Sequence, residues 1–465
     1  MERSKIRRIF RKILRIVLKV VAVFAVLTLL LFGWAWYLNR PPHYSITPPA
    51  VPAINALTFL QRASDARRYG DELREIRPDW YKGKLHRSQQ PQALNVLLEE
   101  NRTSLQLIRE GMEHQYVIPL DPQSSWDKNN ACSSRAYSAV YDCRKLSEIN
   151  ALYRFQTADS RSAANALVDL IQFNTRTGFG RYYHLNGYYQ LEAISNRLSV
   201  TEANAVVARL EQIASTRPSF ADSLRLEKPY TLYNIVSGLS LEKSDVEVEG
   251  IDRWKTNRWF FAIPMITPSP LEDRSQLVNQ FYNWTVPNAK VPGITDRYLT
   301  KCIRVAEKPF SSHTAYPSPP HDIVNWSCFS WDELDTDHLQ WLMWQFHHDG
   351  VMLSLALHGY RREHGQYPVE LEKLVTEKWI RKLPADPFTQ HDTFLYRTER
   401  KTFTLYSRGP DGKDDHGKPI TNQLTPSRRR TAEEAVSLKY MVHVDSNGDI
   451  LYGINKRVET HTMRL

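Results

Sequence analysis

Apolar side chains recur with helical spacing along much of the chain. Between residues 55 and 215 they form successive short stripes at steps of three or four residues, for example Leu57 and Leu60, or Val206, Leu210 and Ile213. Such stripes are typical of amphipathic helices with one buried face. Short polar turns separate them, and no strict repeat of about 33 to 47 residues is present. We therefore predict an irregular antiparallel array of helices.

The most regular helical pattern lies near the C-terminus. Between Trp341 and His364 apolar residues recur at steps of three to five, which predicts a long helix with one buried face. Basic residues fill its last turn, where positive charge is favoured, and Gly365 follows as the residue that tolerates a left-handed cap. We predict that this helix ends at His364 or Gly365.

Two β-hairpins are predicted after a short helix around residues 371–375. In the first, between residues 394 and 407, apolar and polar residues alternate and place one set of side chains on a common face; that set is Phe394, Tyr396, Phe403 and Leu405. The second hairpin is indicated by Asn447-Gly448 between two apolar runs, since this dipeptide favours a tight hairpin turn.

The order of these features resembles the globular part of the major pseudopilin of type II secretion. The resemblance spans residues 339 to 416 and rests on the long helix together with Gly365-Gln366-Tyr367-Pro368, Leu383-Pro384 to Asp386-Pro387, Tyr396, and Leu405 to Gly412. It implies a long helix packed on a small antiparallel sheet. It also implies an acidic, calcium-binding loop after that sheet.

Three carboxylates of this loop are the predicted metal ligands. Asp411, Asp414 and Asp415 fall where the loop of that family carries its acids, and the resemblance implies a structural calcium ion held by such oxygen ligands. The alternative is a solvated acidic loop without a metal. Asp449 either belongs to the predicted Asn447-Gly448 turn or supplies a further acid that closes the calcium site.

One departure from the family limits what the resemblance implies. A pseudopilin begins with a short leader cut after a glycine, followed by a hydrophobic helix that carries a glutamate near its start. Here the module lies at the far end of the chain, and Met1 to Lys12 contains no glycine. We therefore predict a shared fold without filament assembly.

Positive charge is concentrated at the N-terminus. Residues 1 to 40 hold nine Lys or Arg and one Glu, a balance of +8 out of +10, which leaves +2 for the other 425 residues. The basic isoelectric point therefore gives no reason to expect nucleic-acid binding. Val20 to Leu38 is uncharged and, at about 1.5 Å per residue, is just long enough to cross a bilayer core of about 30 Å.

This charge distribution predicts a single-pass protein of the inner (plasma) membrane. The positive-inside rule places Met1 in the cytoplasm and the residues after Arg40 in the periplasm or extracellular space. The alternative is a signal peptide cleaved near Gly33-Trp34-Ala35. We favour an uncleaved anchor because the apolar run is long and bulky aromatic residues surround the only small-residue site.

The predicted organisation has four parts. Residues 1–40 are a cytoplasmic basic tail and transmembrane anchor, and residues 41–54 are a proline-rich linker. Residues 55–335 form a helical exterior domain whose second half is rich in loops, and residues 336–465 form the α+β pseudopilin-like module. The predicted fold class is thus mainly α, with a small antiparallel sheet near the C-terminus.

Cysteine usage agrees with export. Cys132, Cys143, Cys302 and Cys328 form two pairs that are close in sequence, and an oxidising compartment favours disulfides between them. We predict Cys132 with Cys143 and Cys302 with Cys328, although three connectivities exist. A four-cysteine zinc site is disfavoured because no C-x-x-C spacing is present.

No catalytic motif is found in the sequence. A G-x-S-x-G elbow, an H-E-x-x-H pair and a phosphate-binding glycine loop are all absent. His347 and His358 lie on nearly the same face of the long helix, but a metal pair needs a spacing of about four residues. With His348 they are predicted to be core histidines.

The resulting functional prediction is a non-enzymatic scaffold or interaction protein of the cell envelope, bound to the membrane and to a protein partner. One alternative is an envelope hydrolase whose site lies in residues 218–335, which are rich in Pro and Trp. Another is an accessory protein of a type II secretion-like system. The order of anchor, helices and module also resembles membrane-anchored envelope proteins of that layout, which supplies no activity.

Overall fold

A computed structural model describes residues 2–38, 40, 42–68, 76, 78–79, 84–85, 91–124, 126–178, 186–240, 287–310, 315–318, 334–389, 392–399, 401–422 and 438–455. The chain divides into two compact units. The first contains residues 1–47, 228–300 and 318–332, and the second contains residues 48–227, 301–317 and 333–465.

The first unit contains the predicted apolar helix. α1, Glu2–Leu38, is one continuous helix. Its side chains from Lys12 onward are exposed, apart from those of Ala35 and Leu38. This is a helix long and apolar enough to cross a membrane, so the prediction of an N-terminal apolar helix is confirmed.

Two further helices contribute to this unit, α9 (Phe220–Ser240) from residue 228 and α10 (Val291–Ala306) up to residue 300. The Lys228 ammonium lies 2.6 Å from the Asp296 carboxylate and donates a hydrogen bond of 2.9 Å to the Thr300 hydroxyl. These polar contacts join α9 to α10 within the unit.

The predicted array of helices opens the second unit. α2 packs on α4 and α5, α5 packs on α6, and α6 packs on α7 and α8. A short two-stranded hairpin of β1 and β2 contacts α5. The bounds are Ala56–Asp65 for α2, Pro91–Glu100 for α3, Arg102–Met112 for α4, Trp126–Thr157 for α5, Ser160–Thr177 for α6, Asn186–Ile194 for α7 and Val200–Ser215 for α8, with Pro78–Asp79 and Lys84–Leu85 as β1 and β2.

Local sequence signals begin several of these helices. Ser199 and Glu202 form a reciprocal capping box at the start of α8, in which each side chain accepts from the backbone N–H of the other residue. The Asp159 carboxylate accepts from the Ser162 N–H at the start of α6, and Asn55 caps α2 in the same way. These caps satisfy N–H groups that have no partner within the helix.

α11, Leu334–His364, is the long helix predicted near the C-terminus. It ends as predicted, since the Gly365 N–H bonds to the Arg361 carbonyl and Gly365 adopts the left-handed conformation with φ of 77°. The predicted single buried face is wrong. Every residue from Phe346 to Leu357 is buried, because α7 and α8 pack on this helix and the C-terminal segment packs on it too.

The first predicted hairpin is confirmed. α12, Glu372–Thr376, precedes β3, Leu395–Glu399, which pairs antiparallel with β4, Thr402–Ser407. The second predicted hairpin is wrong, because β5, Ile450–Leu451, pairs antiparallel with β4 and makes a three-stranded sheet. The turn before β5 lies at His443–Ser446, where the Ser446 N–H bonds to the His443 carbonyl.

The predicted boundary between residues 335 and 336 does not separate two compact units. The helical array of residues 48–227 and the C-terminal segment of residues 333–465 belong to the same unit. α11 packs against α7 and α8, so the helical array and the sheet share one core. A module boundary drawn at the start of α11 therefore cuts through that core.

Two glycines of α11 allow close approach of aromatic rings. A Cβ atom at Gly350 would overlap the ring of Tyr452, and one at Gly359 would overlap the ring of Trp379. Glycine normally weakens a helix relative to alanine by roughly 0.5–1 kcal/mol. At these two positions the aromatic packing outweighs that loss.

We expect Gly350→Ala and Gly359→Ala each to lower the free energy of unfolding by about 1–3 kcal/mol, because the added methyl group overpacks a filled core. Chemical denaturation of the full chain in detergent measures this change. Gly293→Ala in α10 is the matched control, since its nearest neighbouring atom is 3.7 Å away. Equal effects at all three glycines would contradict the overpacking argument.

Candidate functional site

The buried middle of α11 holds a continuous hydrogen-bonded chain, here called the α11 polar chain. The Trp344 indole N–H donates to the Tyr188 hydroxyl at 3.0 Å. That hydroxyl lies 3.0 Å from Nδ1 of His348, and Nε2 of His348 lies 3.0 Å from the Leu210 carbonyl oxygen. The chain therefore joins α11 to α7, which carries Tyr188, and to α8, which carries Leu210.

Its two ends fix the direction of every proton. An indole N–H can only donate, and a carbonyl oxygen can only accept. His348 must therefore carry its proton on Nε2 and accept the Tyr188 proton on Nδ1, so the ring is neutral. Burial lowers the pKa of His348 to about 4 and raises that of Tyr188, which keeps both groups uncharged at neutral pH.

A buried ion pair lies beside this chain. The Arg217 guanidinium donates to both carboxylate oxygens of Asp349, at 3.4 Å and 3.3 Å. The same guanidinium lies 5.6 Å from the centre of the Trp344 ring. Removing one partner of such a pair leaves a buried charge without compensation, so the pair fixes Arg217 against α11.

Two other histidines of α11 are also paired with tyrosines. Nδ1 of His338 lies 2.8 Å from the Tyr316 hydroxyl, and Nδ1 of His358 lies 3.1 Å from the Tyr367 hydroxyl. Burial lowers the pKa of both rings to about 4, and the positive charges of Arg362 and Arg361 contribute at His358. With His348 they form three histidine–tyrosine pairs along one helix.

The predicted absence of a histidine metal pair agrees with these contacts. His347 packs edge-on against the rings of Tyr189 and Phe346, and His348 and His358 face tyrosine hydroxyls. Within the described residues, no group of three or more His, Cys, Asp or Glu side chains comes together in a way that could hold a metal ion.

A second polar cluster joins the C-terminal strand to the helical array. The Glu192 carboxylate of α7 accepts from the Tyr452 hydroxyl at 2.8 Å and from the Ser354 hydroxyl at 2.9 Å. The Tyr452 ring lies against Gly350, where a larger residue would not fit. Burial and the Glu192 carboxylate raise the pKa of Tyr452, so its hydroxyl remains a donor.

The predicted calcium ligands do not converge. Asp411 accepts from the Lys413 N–H at 3.1 Å, and Asp414 accepts from the His416 N–H at 2.8 Å. Both carboxylates thus form local turns, while Asp415 offers its backbone N–H to Asp449. Asp411, Asp414 and Asp415 therefore do not fit a single ion as a set, and calcium binding at this loop stays a prediction.

Asp449 organises the acidic loop from its buried side. Its two carboxylate oxygens accept from the Asp415 N–H at 3.2 Å and from the Gly417 N–H at 2.7 Å. The residue is fully buried, and burial raises its pKa, as does the negative charge of Asp414 and Asp415. The sequence singled out Asp449 as a turn residue or a metal ligand, whereas the structure shows a carboxylate that binds two backbone N–H groups.

The predicted Cys132–Cys143 disulfide is not formed. Both residues lie on α5, eleven positions apart, which is roughly 16 Å along a helix. A disulfide needs Cα atoms within about 7 Å, so the two thiols are separate. The Cys143 thiol instead approaches the Leu60 carbonyl at 3.3 Å. Cys302 is buried on α10, and its predicted partner Cys328 lies outside the described residues.

A small depression lies on the surface between α6 and α8. Its room of about 10 Å³ is close to what one water molecule needs. Gln172, Thr175 and Arg176 line one side, and Gln212, Ile213 and Thr216 line the other. The depression can hold a solvent molecule but not an organic substrate.

Comparisons with protein-family models, with curated protein sequences and with solved structures found no match to this chain. The resemblance to the major pseudopilin accordingly stays a prediction.

Sequence reasoning did not find the α11 polar chain. Its members come from three helices, and 160 residues separate Tyr188 from His348. The only signal in the sequence is the presence of Trp344 and His348 four residues apart, on one face of a predicted helix. Nothing in that spacing identifies Tyr188 as the third member.

We expect Tyr188→Phe to lower the free energy of unfolding by about 1–3 kcal/mol, because it leaves the Trp344 N–H and His348 Nδ1 buried without their partner. Urea denaturation of the full chain in detergent measures the loss. Tyr137→Phe is the control, since Tyr137 is 49% exposed and should change stability by less than about 0.5 kcal/mol. Equal values for the two variants would show that the chain adds no stability.

We also expect Asp449→Ala to destabilise the protein by about 1–3 kcal/mol, because two backbone N–H groups lose their acceptor. Asp411→Ala is the control in the same loop and should change stability by less than about 0.5 kcal/mol. Thermal unfolding with calcium and then with a chelator tests the predicted ion in the same samples. A larger loss for Asp411→Ala than for Asp449→Ala would overturn this account of the loop.

Proposed function

We propose that this protein is a membrane-anchored scaffold or interaction protein of the cell envelope. The observation that carries the proposal is the exposure of α1. Phe24, Leu29 and Leu30 are 66%, 71% and 64% exposed, and their neighbours along the helix are similarly uncovered. An apolar surface of this length is unfavourable in water by about 25 cal/mol per Å², so a lipid bilayer is the environment that fits it.

The charges and aromatic residues of α1 support the proposed orientation. Basic residues crowd its N-terminal part, which favours a cytoplasmic N-terminus. Trp34 and Tyr37 lie at the other end with ring centres 5.7 Å apart, and the Arg40 guanidinium lies 4.0 Å from the centre of the Trp36 ring. Such aromatic and basic side chains are typical of the interface between membrane and water.

The packing of the second unit supports a structural role for the part outside the membrane. Aromatic rings and directed hydrogen bonds fill the surroundings of α11, as in the α11 polar chain and the contact of Tyr452 with Gly350. In the described residues these groups satisfy one another and do not converge on an open cleft. A rigid body of this kind suits the presentation of a surface to a protein partner.

The hydrolase alternative concerns a different part of the chain. Its predicted region, residues 218–335, includes 241–286 and 319–333, which lie outside the described residues. The described portions are α9, α10 and the segments at residues 307–310 and 315–318, where side chains such as Phe310 pack on other aromatic rings. The scaffold proposal rests on the second unit and on α1.

We expect a phosphatase reporter fused after Leu465 to be active in a bacterial host, and a fluorescent reporter fused before Met1 to fluoresce. Phosphatase folds only outside the cytoplasm, whereas the fluorescent protein must stay inside. The full chain should also remain in the membrane after alkaline extraction, with Met1 still present by mass. An inactive C-terminal phosphatase would contradict the orientation, and a released chain that lacks α1 would identify a signal peptide.

Charge neutralisation sharpens this test. Replacing Arg3, Lys5, Arg7 and Arg8 by Gln should reduce phosphatase activity, because the positive-inside bias is weakened. The control replaces four exposed basic residues that lie far along the chain, and these are Lys373, Lys378, Arg381 and Lys382. An equal loss in both sets would show that the effect follows total charge and not its position next to α1.

A further inference from the structure

Three histidines of α11 bind tyrosine hydroxyls from three different parts of the second unit. His338 faces Tyr316 in the segment after α10, His348 faces Tyr188 on α7, and His358 faces Tyr367 in the turn after α11. These contacts are spaced ten residues apart along the helix. Each one therefore holds a different stretch of α11 against a different neighbour.

Each ring is enclosed by groups that suit a neutral imidazole. His338 stacks on Phe220 with ring centres 4.6 Å apart and meets the edge of Phe310 at 5.0 Å. His358 meets Phe403 of β4 at 5.6 Å. His348 has its two nitrogens occupied by the Tyr188 hydroxyl and the Leu210 carbonyl, an arrangement that requires the Nε2–H tautomer.

The charged and titratable groups around the rings differ from site to site. Arg361 and Arg362 act on His358 as positive charges from its own helix. Asp349 and Arg217 both act on His348, with opposite signs. Around the His338 pair, Asp335, Asp337 and Cys302 act on the Tyr316 hydroxyl. None of these sets gives a buried imidazolium a hydrogen-bonded carboxylate partner of its own among the described contacts.

We propose that α11 is an acid-sensitive element, in which protonation of His338, His348 and His358 releases this helix from its three neighbours and loosens the second unit. At His348 the added proton on Nδ1 points at the Tyr188 hydroxyl, whose oxygen already accepts from Trp344. The hydroxyl proton must then leave its place between the two groups, and the directed chain from Trp344 to Leu210 is broken. The proposal does not depend on the proposed membrane topology.

The direction of the pH effect follows from proton linkage. The three rings have a pKa of about 4 in the folded protein, against about 6.5 in an unfolded chain. Between these values the unfolded chain binds more protons, so stability is complete above about pH 6.5 and is lost as the pH falls toward about 4. Near pH 5 unfolding should take up between about two and three protons from these residues.

Carboxylates do not produce a loss in the same window. Burial raises the pKa of Glu148, Asp386 and Asp449, so acidification relieves their buried charge and acts in the opposite direction. Other carboxylates have a lowered pKa and destabilise the fold only under more acidic conditions, and these are Asp121, Asp159, Glu202 and Asp222. A fall in stability between about pH 6.5 and about pH 4.5 is thus specific to the histidines.

The test is urea unfolding of the full chain in detergent between about pH 7.5 and about pH 4.5, followed by tryptophan fluorescence. Trp344 and Trp379 are buried against α11 and report its release. We expect the unfolding midpoint to fall steadily below about pH 6.5 in the wild type. A midpoint that is constant over the whole range would overturn the proposal.

Single substitutions assign the effect to particular rings. His348→Gln keeps an N–H donor for the Leu210 carbonyl and cannot be protonated, so it should remove about one of the protons taken up on unfolding. His338→Gln and His358→Gln should each do the same. His364→Gln is the matched control, because His364 lies in the last turn of α11, partly exposed beside Glu377, and should leave the pH dependence unchanged. Full pH dependence in all three test variants would exclude the histidines.

A measurement on the wild type guards against variants that do not fold. Nuclear magnetic resonance of the full chain with labelled histidine follows each imidazole as the pH is lowered. We expect three rings to remain neutral near pH 5 while exposed histidines become charged around pH 6.5. Titration of every ring near pH 6.5 would contradict the proposal whatever the variants show.

Discussion

A helix that is buried on all sides must admit its neighbours closely and must also find partners for its polar side chains. α11 does the first with glycine, since Gly350 and Gly359 give the rings of Tyr452 and Trp379 their space. It does the second with tyrosine, because hydroxyls from three elements reach three of its histidines. A buried polar atom without a partner costs about 1–3 kcal/mol. The position of α7, of the turn after α11 and of the C-terminal strand all follow from these contacts.

The same arrangement explains why the second unit is one body. The Glu192 carboxylate of α7 receives both the Ser354 hydroxyl of α11 and the Tyr452 hydroxyl that follows β5. Residues near position 190 and near position 450 are thereby held together through the helix between them. In the proposed function this body is carried outside the membrane by α1. Its tight packing gives a partner a fixed surface, and its neutral histidines make that surface sensitive to acid.

Features set by local chemistry could be predicted from the sequence. The end of α11 at His364 follows from its basic last turn and Gly365, and the β3–β4 hairpin follows from alternating apolar residues. Long-range contacts could not be predicted in this way. Cys132 and Cys143 looked like a pair because they are close in sequence, but a continuous helix holds them far apart. Asn447-Gly448 suggested a local hairpin, whereas Ile450 and Leu451 pair with β4, more than 40 residues earlier.

The central claim is that α11 is the structural core of the second unit, and amide hydrogen exchange tests it most directly. In the full chain in detergent, peptides covering Phe346–Leu357 should exchange far more slowly than those covering α3, most of whose side chains are exposed. Slow exchange in α11 that is lost together with the protection of α7 and α8 would show that they open as one unit. Exchange in α11 as fast as in α3 would contradict the account.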